Sequence, residues 1–255
     1  KMLVSIIIPC YNEISTIDKI INKILLQKDI NKQIILVDDC STDGTTEIIK
    51  KEVFKKVENV IYHSKNSGKG AAIKSGLKQA RGDIVLIQDA DLEYDPNDYL
   101  SLLKPIFNNQ TKVVYGSRVK EKKRFNKEYS LSKNLRVLAN YILTVISNLI
   151  NSQNLTDAHT CYKAFHASVL RDINLEEDDF SFCPEITTKI ANKGYKIIEV
   201  PINYEGRSYK DGKKIGFFDG IKAILTLLKY KIKKSYSKPL SIDVNSFSTK
   251  KKVNP

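Results

Sequence analysis

Apolar residues in this chain follow two rhythms in turn. Leu3-Val4-Ser5-Ile6-Ile7-Ile8-Pro9 is a nearly continuous apolar run, the pattern of a strand buried on both faces. Ile17, Ile20, Ile21, Ile24 and Leu25 then repeat at i, i+3, i+4, i+7, i+8, which is one face of a helix. Ser15, with Asp18 three positions on, reads as its N-cap. A second strand is predicted over 33–37, ending in Asp38-Asp39. Ser41-Thr42-Asp43-Gly44 supplies turn and cap chemistry before a helix from about Thr45. Residues 60–62 give a third short strand. Asn66-Ser67-Gly68-Lys69-Gly70 forms a turn opening a helix through Ala80, and residues 84–88 are the fourth strand. Strands alternating with helices predict an α/β fold whose mainly parallel sheet is covered on both faces.

The second half is less regular. Residues 112–115 read as a strand leading to Gly116-Ser117-Arg118, followed by a basic loop with Lys120, Lys122, Lys123, Arg124, Lys127 and Lys133. Leu135, Leu138, Ile142, Val145, Ile146 and Leu149 mark one helical face, interrupted by too many asparagines for a membrane span, so a core or interfacial helix is expected. A helix is predicted from Phe182, with Pro184 in its first turn. Residues 196–204 alternate as a strand whose Pro201 points to an edge or a bulge. Ile221, Ile224, Leu225, Leu228 and Ile232 stripe a last helix that carries Lys222, Lys229, Lys231 and Lys233 on its other side. That helix either docks on anionic lipid or packs on the domain with its lysines outward. One domain is expected over 1–234, with a nucleotide-binding half to about 118 and an acceptor half beyond it. A basic, Ser-rich tail over 235–255 is expected to be disordered.

Ligands of such sheets bind at the carboxyl ends of the strands. Four polar clusters fall there: Cys10 to Glu13, Asp38-Asp39, Ser64 to Gly70, and Asp89 to Glu93. Asp89 and Asp91 stand two apart, so they face the same way if the strand geometry persists. Unpaired, they would repel each other, and a hard cation such as Mg²⁺ or Mn²⁺ removes that cost. Such an ion takes further ligands from phosphates, which points to a nucleoside diphosphate donor. The formal net charge of +13 calls for an anionic partner. The four cysteines lack paired short spacings, which argues against a zinc site or disulfide framework and fits a reducing compartment. No signal peptide is read at the start, so a cytoplasmic location is expected.

Pro9-Cys10-Tyr11-Asn12-Glu13, Val37-Asp38-Asp39, Gly68-Lys69-Gly70, Asp89-Ala90-Asp91 and Gly116-Ser117-Arg118 together resemble the inverting family 2 glycosyltransferases of the GT-A fold. Leu155-Thr156-Asp157, Cys161-Tyr162-Lys163, Pro184-Glu185-Ile186-Thr187, Glu199-Val200-Pro201, Gly206-Arg207 and Gly212-Lys213-Lys214-Ile215 are similar to the dolichyl-phosphate mannose synthase-like branch. The resemblance covers roughly residues 3 to 230 and says little about the sugar. It implies a nucleoside held by Pro9, Tyr11, Asn12, Glu13, Val37 and Asp39, and a donor lined by Lys69, Asp89 and Ala90. It implies a metal held by Asp91 with Asp89 and Glu93. Glu93 stands where the mannose synthases commonly carry Gln. Arg118, Arg207 and Lys213 would surround phosphate oxygens.

Two acceptors remain open. A polyprenyl phosphate is already anionic and needs only positioning, for which Arg118, Lys133 and Arg136 are the candidates. That acceptor would place the protein peripherally on the inner face of a membrane. A sugar hydroxyl of a surface glycan needs a carboxylate base, and Glu185 or Asp157 would be first in line. Asp157 reads equally well as an N-cap, Asp38 as a loop brace, and His63, His159 and His166 as structural. A basic nucleic-acid-binding module is the rival of another class. No zinc pattern and no aromatics interleaved with the basic loop support it, so no nucleic acid partner is expected.

Overall fold

The computed structural model describes residues 2–121, 131–207 and 217–233, without the side chains of 131–133 and 217. The expectations for Lys213, for the side chain of Lys133, for the loop over 122–130 and for the tail over 235–255 lie outside the described residues. Seven strands form one sheet: β1 (Val4–Cys10), β2 (Lys32–Asp38), β3 (Asn59–Tyr62), β4 (Ile84–Ile87), β5 (Val113–Ser117), β6 (Lys163–His166) and β7 (Ile197–Pro201), in the order β3-β2-β1-β4-β6-β5-β7. β1 pairs in parallel with β2 and β4, β2 with β3, and β5 with β7, whereas β6 runs antiparallel between β4 and β5. β7 is an edge strand, which accommodates Pro201.

The helices are α1 (Ile17–Leu25), α2 (Thr45–Ile48), α3 (Lys69–Leu77), α4 (Tyr99–Phe107), α5 (Leu131–Asn151), α6 (Ala167–Arg171), α7 (Phe182–Asn192) and α8 (Phe217–Ile232). The runs of β1 and β2 are continuous because both of their faces are covered. Val4, Ile6, Ile8, Ile34 and Leu36 pack with α1 and α4 on one side, and Ile7, Ile35 and Val37 pack with α3 and α7 on the other. Each fully buried Ile of this kind contributes roughly 1.5–3 kcal/mol.

One local expectation is corrected, one strand was not anticipated, and two open alternatives are decided. α1 begins after Thr16 rather than at Ser15, and Thr16 Oγ1 donates to Glu13 Oε2 (2.8 Å). β6 has no counterpart in the apolar pattern, because only Ala164 and Phe165 separate Lys163 from His166. The apolar face of α5 does not enter the core. Leu135, Leu138, Ile142, Val145 and Leu149 are exposed, while Thr144, Ser147 and Asn151 are buried. α8 is turned in the same sense: Ala223, Thr226, Leu227 and Tyr230 are buried, and Ile221, Leu225, Leu228 and Ile232 face outward. Its lysines are exposed as well, and Lys222, Lys229 and Lys233 pair with Asp179, Glu177 and Glu176.

Candidate active site

A cavity of about 400 Å³ opens at the carboxyl edge of β1, β2 and β4. The loop after β1 forms its first wall, with Pro9, Cys10, Tyr11 and Glu13 lining it. Asn12 does not line it. It takes a left-handed φ of 56° and ties two loops together, accepting from Thr42 N–H (2.8 Å) while its own N–H donates to Ser41 Oγ (2.9 Å). Val37 is fully buried in β2 and also stands outside the cavity. Asp39 lines the cavity, but it already braces the next loop. It accepts from Ser67 N–H (2.9 Å) and Gly68 N–H (2.7 Å), and His63 Nδ1 lies 2.6 Å away. Asp38 serves its own loop through Ser41 and Thr46.

The strand geometry stops at Ile87, so Asp89 and Asp91 do not project side by side from an extended chain. The fully buried Gln88 holds the loop instead, donating to the Asp89 and Tyr94 carbonyls and accepting from Tyr99 OH (3.0 Å). Leu92 turns the backbone through a φ of 65°. Each acid has its own cation: Lys69 Nζ lies 2.5 Å from Asp89 Oδ1, and Arg207 Nη2 lies 3.1 Å from Asp91 Oδ2. Glu93 accepts from Tyr204 OH (2.7 Å) and from Arg207 N–H (2.7 Å). Arg207 also grips Glu13 with both terminal nitrogens, at 3.0 and 2.8 Å. Burial, then the charges of Asp89 and Glu93, push the Asp91 carboxyl up to about 7 against the pull of Arg207.

Among the described residues no three acids, histidines or cysteines stand preassembled around a metal position. The donor chemistry nevertheless fits a hard divalent cation. Asp89, Asp91 and Glu93 are crowded oxygen ligands, and burial with the charges of Asp89 and Glu93 makes Asp91 resist ionising. Lys69 and Arg207 stand beside Asp89 and Asp91.

The opposite wall carries Arg118, His159, Cys161, Asp179, Phe180 and Tyr204. Arg118 is aimed by Asp157, which is fully buried. Asp157 accepts from the Arg118 backbone N–H (3.1 Å), Nε (2.6 Å), Nη2 (2.7 Å) and Asn140 Nδ2 (3.1 Å). Burial alone would raise the Asp157 pKa; the guanidinium wins and holds it at about 2. Asp157 is therefore neither a helix cap nor a base open to the cavity. Glu185 is also fully buried and outside it. It accepts from the Glu176 and Glu177 amides (2.7 and 2.9 Å) and from Lys189 (2.6 Å), so it braces the 176–179 loop. Arg136 sits on α5 without lining the cavity.

That loop is the part sequence reasoning missed. Asp179 and Phe180 line the cavity, and Asp178 C=O accepts from Ala71 N–H (2.8 Å). Glycine is required opposite: a Cβ on Gly68, at φ 95°, would lie 2.6 Å from Asp178 O, and one on Gly70 2.4 Å from Glu177 O. The signal was the acidic run Glu176-Glu177-Asp178-Asp179 facing the Gly-Lys-Gly turn. His159, read from sequence as structural, lies on the cavity wall with burial holding its imidazole down to about 4, hence neutral.

Residues 5–173, about two thirds of the chain, match the family described as Glycosyl transferase family 2. The chain belongs to that family. It is 32% identical over 251 residues to the UDP-N-acetylglucosamine–dolichyl-phosphate N-acetylglucosaminyltransferase of Methanococcus voltae, covering 91% of this chain and 97% of that one. It is 30% identical to the dolichol-phosphate mannosyltransferase of Pyrococcus furiosus, covering 90% of this chain and 64% of that protein. Among solved structures, the glucosyl-3-phosphoglycerate synthase of Mycobacterium tuberculosis, in complex with Mg²⁺ and UDP, aligns at a TM-score of 0.68 and 17% identity. That alignment covers 90% of this chain and 79% of that one, and it shows the fold, GT-A. The protein is a glycosyltransferase with the α/β architecture described above.

Proposed function

We propose that this family 2 transferase moves a sugar from a nucleoside diphosphate donor to a polyprenyl phosphate, with inversion and with a divalent metal. One observation carries the choice of acceptor. Every carboxylate lining the cavity already has a cation or a donor group as partner: Glu13 and Asp91 have Arg207, Asp39 has His63, Asp89 has Lys69, Glu93 has Tyr204 and Asp179 has Lys222. None stands free to take a proton from a sugar hydroxyl. A phosphate acceptor needs no such base, only positioning. The dolichyl-phosphate transferases aligned along most of this chain support the same choice.

The chain's own residues would divide the work as follows. Pro9, Tyr11, Glu13 and Asp39 form the nucleoside end, and Lys69 faces the diphosphate. Asp91, with Asp89 and Glu93, would hold Mg²⁺ or Mn²⁺, whose charge favours the departing nucleoside diphosphate. Arg207, paired with Glu13 and Asp91 on the cavity wall, would serve phosphate oxygens. Arg118, kept charged by its buried partner, would receive the acceptor phosphate. Lys133, Arg136 and Lys213 are further cations proposed for the phosphates. The acceptor places the working enzyme at a membrane surface; no helix among the described residues is long and apolar enough to cross one.

The test incubates the protein with Mn²⁺, a panel of nucleotide sugars and a polyprenyl phosphate. Lipid-linked product, lost on adding a chelator, is expected. Product formed only on glycan hydroxyls would overturn the acceptor, and metal-independent turnover would overturn the metal.

A further inference from the structure

Asp39 directly follows β2 and lines the cavity, but most of its carboxylate is already occupied. Oδ1 accepts from Ser67 N–H (2.9 Å) and lies 2.6 Å from His63 Nδ1, while Oδ2 accepts from Gly68 N–H (2.7 Å). A carboxylate only accepts, so His63 Nδ1 carries the proton in this bond whatever the charge of the ring. The group has about four acceptor positions. Among the described residues three are taken, both of those on Oδ1 and one on Oδ2. Two of the three donors are main-chain amides that any sequence would supply. His63 is the one that a different side chain would remove.

His63 is itself held from behind. Its backbone N–H donates to Asp38 C=O (2.9 Å), and its Nε2 lies 2.8 Å from Ser75 Oγ on α3. Neither His63 nor Ser75 lines the cavity. The chain Ser75–His63–Asp39 therefore pins the rotation of the carboxylate and leaves it one open acceptor position, on Oδ2. Bases differ in what they offer such a position. Uracil presents one ring N–H between two carbonyls. Guanine presents a ring N–H beside an amine N–H, a fork that calls for both oxygens of a carboxylate, as a guanidinium does. Against a pinned Asp39 one prong of that fork stays unpaired, and a donor left unpaired on burial costs about tenfold or more in binding. We propose that His63, from outside the cavity, sets the base of the donor: by occupying Oδ1 it selects a uracil-type base over guanine. The inference rests on the placing of the nucleoside end at Asp39, and it goes beyond that reading in naming the base and the residue that decides it.

The experiment titrates the full chain with UDP and with GDP in the presence of Mn²⁺, by calorimetry. Wild type is expected to bind UDP at least tenfold tighter. In His63→Leu the carboxylate keeps only its two amide donors and can turn to present both oxygens, so the UDP preference should fall at least fivefold. His63→Asn, whose amide nitrogen stands as far from Cβ as Nδ1 does, should restore the wild-type preference. If circular dichroism shows His63→Leu unfolded, His63→Gln carries the test; its amide sits one carbon further out, and a severalfold fall is expected. A wild type that binds GDP as tightly as UDP would overturn the proposal. So would His63 variants that weaken both nucleotides in the same proportion, since His63 would then only brace a loop. Asp39→Ala separates the two levels. Loss of both nucleotides in Asp39→Ala, with an unchanged preference in the His63 variants, removes this inference alone. Affinities untouched by Asp39→Ala would remove the nucleoside assignment and the inference together. No acceptor is present in these titrations, so an error in the polyprenyl-phosphate reading leaves their outcome unchanged.

Discussion

Asp157→Asn removes the fully buried charge of its pair with Arg118 and keeps the shape. Breaking such a pair by losing one partner costs about 3–5 kcal/mol. The Arg118 side chain retains 20% exposure, toward the cavity. The stranded guanidinium can be hydrated there, and the lower end, about 3 kcal/mol, is expected. A second route gives a similar size. Asp157 is held at about 2 against an ordinary 3.8, and at ~1.4 kcal/mol per unit this is about 2 kcal/mol. The folded pKa is depressed, so that stability is present above about pH 4 and is lost as pH falls toward 2. Urea unfolding at pH 7 and at pH 3 checks both. The gap between wild type and variant should be about 3 kcal/mol at pH 7 and clearly smaller at pH 3. Arg118→Met/Asp157→Asn should regain much of the loss, because a buried pair replaced whole leaves no stranded charge. A gap below about 0.5 kcal/mol at pH 7, or losses that simply add in the double variant, would refute the reasoning.

Asp91→Ala should abolish transfer while leaving the melting temperature within a few degrees of wild type, read by circular dichroism beside the product assay. Gly70→Ala, whose Cβ would meet Glu177 O at 2.4 Å, should raise the donor KM at least tenfold with a smaller effect on kcat, seen in initial rates. Glu185→Gln should cost about 3 kcal/mol of stability by leaving Lys189 short of its buried partner. The folded fraction should keep its kcat within about threefold, whereas loss of a general base would cost roughly 100-fold or more.

The first half of the chain was legible because its strands are buried on both faces and its motifs sit at their ends, where periodicity and chemistry coincide. Asp157 and Glu185 show the limit of that reading. A carboxylate in a polar motif looks the same in sequence whether it faces a substrate or a buried Arg118 or Lys189, and only the fold supplies the partner. β6 escaped because Lys163 interrupts it. That lysine is fully buried, donates to the Ala158 and Thr160 carbonyls and stands 3.7 Å from the centre of the Tyr115 ring. The stripes of α5 and α8 were found as stripes, with burial or exposure left open, since periodicity identifies a face without saying whether protein lies against it.

The acidic segment 176–179 has a consequence beyond the pocket it walls. It is fastened from outside by Lys222, Lys229 and Lys233 and from beneath by Glu185, while its carbonyls press on two glycines. The cavity therefore owns no independent partition on this side; it borrows one from the outermost helix. Any force that rolls or lifts α8 must tug that wall of the cavity with it.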